Sequence, residues 1–86
     1  MPEKTVTVGS AVGLHARPAA LIAEAVAKSG VPVTLATPGG APVDGGSPLM
    51  IMTLGAKKGT EVTVSSADET VLSTIADMVA ADLDAD

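Results

Sequence analysis

The chain switches between two hydrophobic periods. Residues 4–8, Lys-Thr-Val-Thr-Val, alternate and predict a strand with Val6 and Val8 facing inward. Gly9 to Gly13 reads as a loop. From Ala16 to Ser29 the period becomes helical: Ala19, Ile22, Ala23 and Val26 fall at i, i+3, i+4 and i+7, one buried stripe. Pro18 lies in the first turn, where its missing N–H costs little, and Gly30 is placed for a left-handed cap. Residues 31–36, Val-Pro-Val-Thr-Leu-Ala, predict a second strand with Val31, Val33 and Leu35 on one face and Pro32 at its start or edge. Pro38-Gly39-Gly40 is a turn. Ala41 to Asp44 forms a short third strand, and Gly45-Gly46 is a hinge-like approach to the next element.

Helix punctuation is complete around the next segment. Ser47 is an N-cap, Pro48 takes the first helical position, and Gly55 follows Leu54 at the end. Within this helix Met50 and Ile51 are expected in the core, and Leu49 and Met52 outside it. Lys57-Lys58-Gly59 is a turn, and residues 61–65 are a fourth strand with Val62 and Val64 inward. Ser66-Ala67-Asp68-Glu69 matches a capping box with Ser66 as N-cap. It opens a last helix with the stripe Leu72, Ile75, Ala76 and Val79, extended by Leu83. The order is βαββαβα. Strands of period two bury one face only, so the helices gather on that face. The expectation is an α+β open-faced β-sandwich: a four-stranded antiparallel sheet covered on one face by three helices, with residues 1–86 forming a single domain.

Composition narrows the functions open to such a domain. There is no Phe, Tyr or Trp, so the core is built from Val, Leu, Ile, Met and Ala. There is no cysteine, hence no disulfide framework and no thiolate metal site; one histidine cannot make a zinc centre. Neither a metal nor a cofactor is implied. The formal charge of −5, lysines at 4, 28, 57 and 58 that form no stripe, and the lack of stacking aromatics argue against nucleic acid. Part of the negative charge is a solvated tail of Asp82, Asp84 and Asp86. No run approaches the ~20 apolar residues of a membrane span, and Met1-Pro2-Glu3-Lys4 is no signal peptide, so the expected location is the cytoplasm without membrane insertion.

The candidate chemistry sits in Gly13-Leu14-His15-Ala16-Arg17-Pro18-Ala19, which holds the only histidine and the only arginine of the chain. A lone histidine in a small domain is ordinarily a surface or packing residue. Three features set this one apart. His15 precedes a predicted helix, so the first-turn N–H groups of Ala16 and Arg17 point near its ring. The positive end of the helix dipole favours an arriving dianion. Arg17 adds a fixed charge with several donors, and Gly13 lets the backbone turn tightly before the ring. A neutral imidazole nitrogen is a nucleophile near pH 7, so the expected chemistry is a histidine that accepts and releases phosphate.

These residues resemble the HPr family, the histidine-containing phosphocarriers of the bacterial phosphoenolpyruvate:sugar phosphotransferase system. Residues 13–19 look like its active-site signature. Ser47 with Leu49-Met50-Ile51-Met52-Thr53-Leu54-Gly55 looks like its second, and Lys58-Gly59-Thr60 and Asp68-Glu69 sit where similar residues are expected. The resemblance implies that His15 is phosphorylated at its δ nitrogen by enzyme I and passes the group to IIA domains of sugar permeases, with Arg17 stabilising it in transit. It implies a carrier with no turnover of its own, working as a monomer. Two partners must use one surface, for which Ala20, Leu21, Pro48, Leu49 and Met52 are the expected docking residues.

The chain departs from the family pattern at two places. Ser47 is phosphorylated by a serine kinase in Gram-positive members, but here Gly46 precedes it and Pro48 follows, where the family more often has a basic and a bulky apolar residue. Val12 stands where the family commonly has Ser or Asn. Valine cannot cap the helix or touch a phosphate, which predicts a weaker anion site or compensation by backbone groups. One alternative keeps the fold as a regulatory protein-binding module controlled through Ser47, with His15 structural. Another, an acyl carrier with its arm on Ser47, conflicts with the predicted strands.

Overall fold

Alternation along the strands decides which way the sheet faces. The computed structural model describes residues 2–82. Its elements are β1 (Glu3–Thr7), α1 (Ala16–Ser29), β2 (Thr34–Ala36), β3 (Val43–Asp44), α2 (Pro48–Thr53), β4 (Glu61–Ser65) and α3 (Glu69–Ala80). The expected Leu83 and the tail residues Asp84 and Asp86 lie outside the described residues.

The sheet order is β1-β4-β2-β3 and every pairing is antiparallel. Val62 pairs with Val6, and Val64 lies between Lys4 and Leu35, so one face is apolar across the middle of the sheet. Val62, Val64 and Leu35 are fully buried there. The opposite face carries Thr5, Thr63 and Thr34 and is open; the hydroxyls of Thr5 and Thr63 share a hydrogen bond of 2.9 Å. The helices cover the apolar face. Here α3 packs on β1 and β4, and α1 packs against α2 and α3. Both predicted stripes are buried as expected, and Gly30 caps α1 at φ +70°. With no aromatic ring available, Ile22, Leu35, Ile51 and Ile75 are the largest fully buried side chains. Each contributes about 1.5–3 kcal/mol on burial.

Four local expectations are corrected. The second strand begins at Thr34 rather than Val31, because Pro32 has no N–H to give a ladder and the Val31 N–H is taken by Ser29 Oγ at 3.2 Å. Gly45 is no hinge: its N–H donates to Val33 O at 2.8 Å, and a Cβ there would lie 2.9 Å from that oxygen. The N-cap of α3 is Asp68, not Ser66. The Asp68 carboxylate accepts from Thr70 and Val71 N–H at 2.9 and 3.1 Å, while buried Ser66 accepts from Asp68 N–H at 3.2 Å. A charged acceptor taking two donors outcompetes a hydroxyl two residues earlier. Met50 is 40% exposed rather than core. A helix of six residues has room for one inward side chain, and Ile51 occupies it.

Candidate functional site

The segment between β1 and α1 is tied down before it reaches His15. Gly13 N–H donates to Ser10 O at 3.0 Å, closing a tight turn over the buried Ser10. Leu14 is buried, and its N–H donates to Ala56 O at 2.8 Å. Gly13 has φ +81°, and a Cβ there would come within 2.4 Å of the same Ala56 oxygen. Only glycine tolerates both conditions. The connection between α2 and β4 is thereby locked against the start of α1.

His15 follows as the N-cap of α1, with extended backbone at φ −95° and ψ −162°. Its carbonyl accepts Ala19 N–H at 2.9 Å, but its side chain makes no cap hydrogen bond. No acidic residue lies in the first turn. Ala16 and Arg17 occupy the first two helical positions, where N–H groups have no intrahelical acceptor, and Pro18 contributes no N–H. His15, Ala16 and Arg17 are all exposed. The helix therefore presents two donors and the positive end of its dipole beside an exposed imidazole.

A surface hollow of about 240 Å³ adjoins the ring, lined by Val12, Leu14, His15, Met52, Gly55, Ala56 and Lys57. The structure brings His15 and Met52 together there. Arg17 is not among the lining residues, and Lys57 is. Sequence reading missed Lys57 as a site residue. It is remote from His15 along the chain, and the turn signal of Lys57-Lys58-Gly59 says nothing about what the turn faces. The nearest clue was the resemblance at Lys58-Gly59-Thr60.

The remaining candidates lie around this hollow or on the two helices beside it. Ala20 and Leu21 are exposed on α1, and Pro48, Leu49 and Met52 on α2, as expected. Ser47 is half-buried, and its hydroxyl accepts Met50 N–H at 3.3 Å as the N-cap of α2. Val12 is 62% exposed and brings only methyl groups to the rim. Among the described residues no group of three or more His, Cys, Asp or Glu is placed to hold a metal, and no helix is long and apolar enough to cross a membrane.

A family model described as the PTS HPr component phosphorylation site matches residues 2–81. The phosphocarrier protein HPr of Streptomyces coelicolor is 42% identical over 87 residues, spanning 98% of this chain and 94% of that protein. The crystal structure of HPr from Bacillus anthracis superposes with a TM-score of 0.83 at 28% identity, covering 91% of this chain and 95% of that one. HPr-C-His from Thermoanaerobacter tengcongensis does so with a TM-score of 0.82 at 29% identity, covering 92% and 91%. On the match to the family model and the identity to the curated relative, the chain belongs to the HPr family of phosphotransferase-system phosphocarriers.

Proposed function

We infer that this phosphocarrier takes a phosphoryl group from phosphorylated enzyme I onto His15 and hands it to IIA domains of sugar permeases in the cytoplasm. The observation that carries the reading is an exposed histidine at the start of α1, beside first-turn N–H groups and a hollow that it lines together with Lys57. In the transfer the His15 ring nitrogen attacks phosphorus. The P–N bond to His15 forms as the donor's P–N bond breaks, and that bond's electron pair returns to the donor nitrogen. Each ring keeps the proton on its other nitrogen. The reverse sequence delivers the group to the next acceptor.

Ala16 and Arg17 N–H groups, with the Arg17 guanidinium, hold the phosphoryl oxygens. Ala20, Leu21, Pro48, Leu49 and Met52 form the docking surface shared by the two partners, and the carrier works as a monomer without cofactor. A hollow this open leaves the partner to complete each transfer site, which is why the carrier alone has no turnover. Regulation through Ser47 by a serine kinase is a second role for the same face. A phosphoryl group there would lie at the first turn of α2, where Met50 N–H already donates to the serine oxygen and Pro48 offers no donor.

The test is intact-mass analysis after incubation with phosphoenolpyruvate and enzyme I of the same organism, before and after mild acid. The wild-type chain gains one phosphoryl group that acid removes; His15→Ala, at an exposed position, folds and gains none. Uptake by His15→Ala would overturn the assignment.

A further inference from the structure

The hollow beside His15 has an unusual lining for a place where a dianion is to rest. Val12, Leu14, Met52 and Ala56 are apolar, and Gly55 brings only backbone. Among the described residues that line it, Lys57 is the one ionisable residue besides His15. Arg17 does not line it. Among the described residues Lys57 makes no ion pair; the ion pair of α1 is between Lys28 and Glu24.

The backbone of Lys57 is held on both sides. Its N–H donates to Thr60 Oγ1 at 3.2 Å and its carbonyl accepts Thr60 N–H at 3.0 Å. The preceding residue, Ala56, is buried and receives Leu14 N–H. The lysine is thus anchored at its Cα to the segment that carries His15, and only its flexible stem is unconstrained. Apolar walls on one side raise the strength of a charge–charge contact on the other.

We propose that the Lys57 ammonium is a positioning group for the phosphoryl group on His15. It donates hydrogen bonds to the phosphoryl oxygens within the hollow and supplies the charge that the rim at Val12 cannot. This rests on the assignment of His15 as the acceptor. Lys57 forms no covalent bond and exchanges no proton in the step; the P–N bonds form and break as described above. Its consequence is a phosphorylated carrier that survives longer between partners and a resting chain that binds a free phosphate dianion.

Two readouts test it on the full chain. Inorganic phosphate is titrated while the amides of Ala16 and Arg17 are followed by NMR, and the hydrolysis rate of the phosphorylated chain is followed by intact mass. Lys57→Gln is expected to weaken phosphate binding about 3–10-fold and to speed hydrolysis by a similar factor. Lys57→Arg restores both to within about twofold. Lys58→Gln removes the same charge one residue outside the hollow and changes neither beyond about twofold. Equal effects of Lys57→Gln and Lys58→Gln would reduce the role to net charge and overturn the proposal, as would no effect of Lys57→Gln while wild type still takes up the group. A wild-type chain that gains no acid-labile phosphoryl group would overturn the reading of His15, and this proposal with it.

Discussion

Two helix starts in this molecule are built in opposite ways. At α3 the Asp68 carboxylate takes two first-turn N–H groups, and Glu69 adds a second negative charge beside the positive end of the dipole. At α1 the N-cap is a histidine whose side chain caps nothing, with no acid in the first turn. The first arrangement satisfies the helix from within. The second leaves its N–H groups for something else, and stability comes from elsewhere: the Leu14 to Ala56 hydrogen bond, the buried Leu14, and the stripe of α1 in the core. A helix end that its N-cap side chain leaves uncapped, yet that is firmly anchored, suits the anion-handling role proposed for His15.

The comparison is broken most strongly through the anchor. Gly13→Ala forces a side chain into φ +81° and against a backbone oxygen at 2.4 Å. It should destabilise the chain by about 2–4 kcal/mol in urea unfolding. A loss below about 1 kcal/mol would show that the loop relaxes freely and that the anchor is weak. Next in size is the cap of α3. Asp68→Ala should remove about 1–2 kcal/mol of stability and leave phosphoryl uptake unchanged, measured by unfolding and intact mass on the same sample. Coupled loss of uptake would mean that the two helix starts are not independent.

A gain is expected from the opposite exchange. The extended backbone of His15 suits an N-cap, so His15→Asp should give α1 the cap it lacks and stabilise the chain by about 0.5–1 kcal/mol while abolishing uptake. A destabilised variant would show that the imidazole contributes to stability in a way the cap geometry does not reveal. The smallest effect lies further along α1. Glu24, bonded to Lys28 at 2.9 Å, has its carboxyl held below the ordinary value, first by that hydrogen bond and then by the lysine charge. A depressed carboxyl contributes stability above its unfolded pKa and loses it as pH falls through the folded one. Both side chains are exposed, so Glu24→Gln should differ from wild type only slightly at neutral pH and low salt. The difference should vanish in acid; one that persists there would exclude the ion pair as its cause.

Much of this molecule was legible in its sequence because much of it is local. Period two marked Val62 and Val64, period 3.6 marked Ala19, Ile22, Ala23 and Val26, and Ser47-Pro48 and Gly30 marked helix ends at the residues that form them. The pair His15 and Arg17 stood out through the same short-range logic. Misreadings arose where two local signals competed, as Ser66 against Asp68, or where an element was too short for its period to be read, as with Met50.

What the sequence by itself determined was therefore the elements, their order, their inward faces and a histidine placed at a helix start. Backbone propensity, caps and hydrophobic period act over a few residues and are written in consecutive letters. Only the tertiary structure decided the order β1-β4-β2-β3 and the meeting of Lys57 and His15 around one hollow. Those depend on which distant segments pair. Here the deciding contact is one carbonyl of Ala56, close enough to Gly13 and Leu14 that it tolerates no Cβ at one and accepts the N–H of the other.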